Sequence, residues 1–148
     1  GGWDMHGELL NAHERSLTVV DKALGEFANG LDEIGMFDAV TTFTISDFGR
    51  TLTSNGNGSD HAWGGNALVM GGAVKGGDMY GVYPSLALGG ALDVHNGVLI
   101  PTTANDSYFA ELALWFGVSP SDLSTLFPNI GNFYDPGSST APLGFMNI

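Results

Sequence analysis

Ala39-Val40-Thr41-Thr42-Phe43-Thr44-Ile45-Ser46-Asp47-Phe48-Gly49-Arg50 is the stretch on which the reading of the fold turns. Positions 39–45 are β-branched and aromatic, the near-continuous apolar run of a central strand. Ser46 to Arg50 then ends the run with turn formers, a carboxylate and a guanidinium. Upstream, Leu17, Val20, Leu24, Phe27, Leu31 and Ile34 recur at alternating steps of three and four. That spacing predicts an amphipathic helix over residues 9–34, packed on a neighbour, weakened by Gly25 and Gly30 and stopped at Gly35. Downstream, residues 54–61 are all turn chemistry and read as a functional loop. Residues 67–70 and 98–101 read as short strands, and residues 79–96 as irregular. A helix is expected from Thr103 to Phe116, stopped by Gly117, and a second short one from Ser119 to Leu126. The tail from Asn129 reads as loop. Helices alternating with strands define an α/β layer architecture with an incomplete set of strands.

The 148 residues suffice for one domain, and at 43% apolar against 14% charged residues a disordered chain is excluded. Four Lys and Arg face 16 Asp and Glu, a formal charge of −12. That sign opposes nonspecific binding to nucleic acid or to an anionic membrane. The chain has no cysteine, which removes disulfides, thiolate catalysis and cysteine-held zinc. No apolar run approaches the roughly 20 residues that span a bilayer.

Three clusters carry chemistry. Asp4 and His6 stand two apart, so an extended backbone turns both to one side, where they can converge on a single ion. Carboxylate and imidazole suit zinc, manganese or iron. Asp4-Met5-His6 also reads as a cap region ahead of the first helix. Asp47 lies just past a predicted strand, where open α/β sheets gather ligands. Arg50 could clamp a tetrahedral oxyanion, or could simply pair with Asp47 to close the turn. Asp60 and His61 form the third cluster, with a capping role as the bland alternative. His13 reads as a solvated helix residue and His95 as part of a turn. Tyr108, Phe109, Trp115 and Phe116 read as core aromatics.

Taken in order, Gly1-Gly2-Trp3-Asp4-Met5-His6, the stretch from Thr41 to Thr51, Ser59-Asp60-His61-Ala62-Trp63-Gly64-Gly65-Asn66 and Gly71-Gly72-Ala73-Val74-Lys75-Gly76-Gly77 resemble the exported bacterial family catalogued as domain of unknown function 1501. Ile100-Pro101-Thr102-Thr103, Trp115-Phe116-Gly117-Val118 and Phe127-Pro128-Asn129-Ile130 extend the likeness over nearly the whole chain. That family in turn resembles the alkaline phosphatase and sulfatase superfamily, whose fold is a mixed β-sheet between helices with metal ions at the strand ends.

The resemblance implies that residues 1–148 are the C-terminal portion of a single alkaline-phosphatase-like domain, a partial sheet flanked by helices. It implies that Asp4, His6 and His61 hold one divalent ion, zinc, manganese or similar, with Asp47 the remaining carboxylate and Asp60 orienting His61. Asp47-Phe48-Gly49 falls where the superfamily often has Asp-His-Gly. Phe48 cannot ligate, so one metal site is expected rather than two. Arg50 would stabilise charge on the transferring group. The nucleophile is expected upstream of this segment, leaving it catalytically incomplete alone. The expected activity is metal-dependent hydrolysis of phosphate or sulfate esters, in a periplasmic or secreted protein with a twin-arginine export signal. The alternative is a noncatalytic exported protein that binds a sulfated or phosphorylated polymer or a surface partner.

Overall fold

The computed structural model describes residues 2–148. The first helix, α1 (Leu9–Glu33), forms where the apolar spacing places it. It ends on Gly35, whose φ of 68° is open to a residue without Cβ. Gly35 N–H donates to the Asp32 carbonyl at 3.0 Å and Met36 N–H to the Leu31 carbonyl at 2.8 Å, the paired bonds of a Schellman stop. The expectation that α1 packs along its apolar stripe fails. Leu31 is its one buried residue, Leu17 and Phe27 are nearly half exposed, and Ile34 is 69% exposed. Periodicity marks which face of a helix is apolar; it does not supply a layer to cover that face.

The predicted central strand is much shorter than its apolar run. Residues Phe37–Ala39 form a 3₁₀ turn, and only β1 (Thr42–Phe43) is ladder, paired antiparallel with β4 (Val69–Met70). Thr44 N–H continues the pairing to the Leu68 carbonyl at 2.9 Å. The segment has a partner on one side only, which leaves Phe43 and Ile45 exposed. The supposed loop over 54–61 is a hairpin instead. Its arms β2 (Gly49–Ser54) and β3 (Ser59–Ala62) pair antiparallel, with Arg50 opposite His61. Only residues 55–58 form the turn. A third ladder joins β5 (Asp93–His95) to β6 (Val98–Leu99), so His95 lies on a strand rather than in a turn. Helices and strands are both present, as an α/β reading requires. Among the described residues, however, the strands make three separate two-stranded antiparallel ladders and no continuous sheet.

The core lies in the C-terminal half. Helix α2 (Asn105–Trp115) buries Ala110 against Leu123 of α3 (Leu123–Leu126) and against Ile130. Its other side packs Leu112, Tyr108, Phe109 and Trp115 on Phe145 and Met146. Phe116, expected in the core, is 82% exposed at the helix end. The tail beyond Asn129 is far from a plain loop: it holds a 3₁₀ turn at Ile130–Asn132, and Met146 bridges to Val74. One buried carboxylate fixes it. Glu111, fully buried, accepts backbone N–H bonds from Leu143 and Gly144 at 2.6 Å and from Met146 at 2.7 Å. Three charge-assisted bonds offset the desolvation of one carboxylate. Glu111→Ala leaves three amide donors unpaired, so urea unfolding is expected to show a loss of about 3 kcal/mol or more. A loss below about 1 kcal/mol would mean that the tail is held by packing alone.

Candidate metal centre

The site is built where residues 3–9 lie against the β2–β3 hairpin. Between Trp3 and His6 the chain closes a tight turn, His6 N–H donating to the Asp4 carbonyl at 3.3 Å, with Met5 buried and Asp4 and His6 exposed on either side of it. With Met5 turned inward, both polar side chains face outward together, Asp4 Oδ1 meeting His6 Nε2 at 3.0 Å. Close approach is possible because the facing residue is Gly58: a Cβ there would stand 2.4 Å from the His6 carbonyl carbon and oxygen. The Leu9 N–H donates to the Asn57 carbonyl at 3.2 Å and continues the docking.

Three donor atoms converge. Asp4 Oδ1 lies 3.0 Å from His6 Nε2 and 2.7 Å from His61 Nε2, and the two imidazole nitrogens are 3.2 Å apart. Two ligands sharing an ion at about 2.0–2.2 Å stand roughly 3 to 3.5 Å from one another, so the triangle is close to the size one ion requires. Two imidazoles and a carboxylate grouped on one side suit zinc, iron(II) or manganese. All three residues are exposed, so one side of the triangle stays open to solvent.

The surroundings fix each donor. The His6 ring is held between two carboxylates, with Nδ1 3.0 Å from Asp60 Oδ1 and Nε2 3.0 Å from Asp4 Oδ1. Asp60 thus orients His6, not His61 as expected. Asp60 meets the Nδ1 edge of the His6 ring and His61 the Nε2 edge, so the two neighbours sit at opposite edges of one imidazole. The His61 ring is held instead by Phe48, stacked on it at 3.8 Å with 12° between the planes. Arg50 sits over the other part of this assembly, its guanidinium carbon 4.9 Å from the Phe48 ring centre.

Arg50 does not pair with Asp47. Its Nη2 donates to Asp4 Oδ1 at 3.0 Å and to the Trp3 carbonyl at 2.9 Å, and its Nη1 donates to the Ser59 carbonyl at 2.8 Å. It ties the N-terminal segment to both arms of the hairpin. Asp47 lies on an exposed bend between β1 and β2, outside the group that converges. His13 stands apart on α1, edge-on to Trp3 with ring centres 5.9 Å apart.

Sequence reasoning missed Asn55. Its side chain donates to Asp60 Oδ1 at 2.9 Å and to the His6 carbonyl at 3.1 Å. Its Oδ1 accepts from Asn57 N–H at 3.2 Å and Gly58 N–H at 2.8 Å. A partial signal was present: the pair Asn55-Gly56 favours a hairpin turn, although the polar runs on either side of it lack apolar alternation.

Both carboxylates of the cluster are held below the usual carboxylate range. For Asp4 the hydrogen bond to His61 is the largest cause, partial desolvation opposes it, and Arg50 and the imidazole charges add to it. For Asp60 the Asn55 amide comes first and His6 second. A depressed folded-state value contributes stability that is complete above the ordinary value of 3.8 and is lost as pH falls through the lowered one. Asp60→Asn removes that dependence, so its melting temperature should fall less than the wild type's between about pH 5 and about pH 3. Parallel melting curves for the two proteins would show that Asp60 has the same affinity for protons folded and unfolded.

The fold and the site together define a mixed helical and antiparallel-hairpin chain that carries an exposed cluster of two histidines and a carboxylate. The chain belongs to the family described as protein of unknown function (DUF1501), whose model matches residues 1–123. No curated protein matches it, and no solved structure does. No helix among the described residues is long and apolar enough to cross a membrane.

Proposed function

We propose that this chain supplies a single divalent-metal centre for hydrolysis of phosphate or sulfate esters, in the manner of the alkaline phosphatase and sulfatase superfamily that its family resembles. The observation that carries the reading is the triangle of Asp4 Oδ1, His6 Nε2 and His61 Nε2, with edges of 2.7 to 3.2 Å. These three residues would hold the ion. When bound, it supplies a Lewis acid for an ester oxygen and activation of the attacking oxygen nucleophile.

The protein's own residues do the rest. Asp60 holds the Nδ1 edge of the His6 ring, Phe48 holds the His61 ring by stacking, and Arg50 fixes the Asp4 carboxylate. Three of the Arg50 N–H groups are engaged with protein acceptors; the others are free to meet charge developing on an anionic ester at the rim of the site. Asp47 lies outside the ligand triangle, and no residue of the site is assigned as nucleophile. The same resemblance supports an alkaline-phosphatase-like sheet as the setting of the site and a periplasmic or secreted location.

A second reading is noncatalytic binding of a sulfated or phosphorylated polymer through the same ion. The exposure of all three donors favours it, since an open site accepts a long ligand as readily as a small ester. A chain of charge −12 needs a bound cation to attract either.

Metal analysis of the purified protein after incubation with zinc or manganese should find about one ion per chain. His6→Ala and His61→Ala should each abolish it, because two remaining donors hold an ion poorly in water. No ion in the wild type, or undiminished loading in both variants, sinks the proposal. Turnover of aryl phosphates or sulfates by the loaded protein supports the hydrolase. Retention of a sulfated polymer without turnover supports the second reading.

A further inference from the structure

Arg15 carries a charge that the chain leaves unmatched. The positions three and four residues to either side of it on α1 are Asn11, Ala12, Thr18 and Val19, so no acidic side chain shares its face of the helix, although the chain holds 16 Asp and Glu. Among the described residues Arg15 has neither an ion pair nor a hydrogen bond, whereas Arg50 is engaged with three acceptors and Lys22 pairs with Glu26 at 3.8 Å. Arg15 and Val19 form one row of the helix surface and Ser16 and Val20 the next. Together with Trp3 they line a cleft of about 300 Å³. Trp3 is anchored twice: its carbonyl accepts from Arg50 Nη2 at 2.9 Å, and its ring stands edge-to-face with His13, centres 5.9 Å apart. It is still 43% exposed, which leaves indole surface open to the cleft. Asp4, the next residue, supplies its Oδ1 to the donor triangle, so the cleft begins one residue from the candidate metal centre.

We propose that this cleft is a binding subsite for an aromatic ring that bears an anionic substituent. The indole and the two valines offer apolar surface to a ring. The Arg15 guanidinium offers paired planar donors to a carboxylate or sulfonate on that ring, and the Ser16 hydroxyl offers one more. A cleft of about 300 Å³ is at the small end of ligand sites and takes one ring system, not successive units of a polymer. The sign of the charge decides the ligand class: in a chain of net charge −12, a guanidinium with no acidic neighbour on its face is a place where an anion meets attraction instead of repulsion. For its role beside the ion the proposal rests on the metal reading above, whose substrate it narrows to an aryl ester carrying a second negative charge. The cleft itself is formed without an ion.

The test is made on the metal-free protein labelled with fluorotryptophan, in which Trp3, Trp63 and Trp115 each give a fluorine signal and Trp3→Phe assigns the first. Titration with naphthoate should shift the Trp3 signal saturably and leave that of Trp115, on α2, unmoved. Arg15→Gln should weaken the binding about three- to tenfold, and the neutral naphthamide should bind the wild type more weakly by a similar factor. A Trp3 signal that does not respond, or a naphthoate affinity that Arg15→Gln leaves unchanged, overturns the proposal. Naphthamide binding as tight as naphthoate overturns it too, because apolar adsorption alone then accounts for the shift. The zinc-loaded protein tests the link to the metal centre: a naphthyl phosphate bearing a carboxylate should bind more tightly than plain naphthyl phosphate, and Arg15→Gln should erase the difference. Equal affinity of the wild type for the two esters overturns the role of the cleft beside the ion. Failure to load zinc overturns the metal reading, and the metal-free titration then decides the cleft by itself.

Discussion

The site depends on one constraint: the short segment from Trp3 to His6 is clamped to a hairpin more than forty residues away in sequence. Arg50 holds it at Trp3 and Asp4, and Asn55 holds it at His6. Neither clamp is buried deeply, so neither adds much to global stability. Their effect is positional. They bring Asp4 and His6 to His61, partners 55 and 57 positions apart in sequence, and without them the three donors belong to unrelated surfaces. Gly58 makes this possible by presenting bare backbone where any side chain would strike the His6 carbonyl.

The parts legible in the sequence are those governed by local rules. The stop of α1 at Gly35 follows from a backbone angle that favours glycine, and the pairing of Asp4 with His6 was legible from their spacing, although the backbone between them closes a tight turn at Met5 and does not run extended. The helix through Tyr108 and Phe109 was visible for the same reason. Features set by the choice of partner were not. The run from Ala39 to Ile45 has the composition of a buried strand, yet it forms a two-residue ladder with one exposed face, because composition states what a residue tolerates and not what lies beside it. The apolar stripe of α1 shows the same gap between a face and its partner.

The hairpin was hidden by its own polarity. Thr51, Thr53, Ser54, Ser59 and Asp60 lack the apolar alternation that announces a half-buried strand, and residues 55–58 between them share their character. Reading the whole as loop concealed the fact that Arg50 and His61 face each other across a ladder, and with it the reason that Arg50 serves Asp4 rather than Asp47. Asp60 was assigned to His61 because the two are neighbours in sequence. The two meet opposite edges of one imidazole, and that ring comes from the other segment.

The electrostatics follow from the same arrangement. The chain carries 12 more acidic than basic groups, yet one of its four basic residues is placed against the ligand carboxylate. A guanidinium beside Asp4 favours the ionised carboxylate and also competes with a cation for the same oxygen, so it weakens ion binding while fixing its position. With Asp60 behind His6, one carboxylate is shared with Arg50 and the other holds the ring of an imidazole donor in place. Such a balance fits an ion held by three exposed groups and open to a ligand on its free side, and it ties the strength of the centre to the residues that orient its donors as much as to the donors themselves.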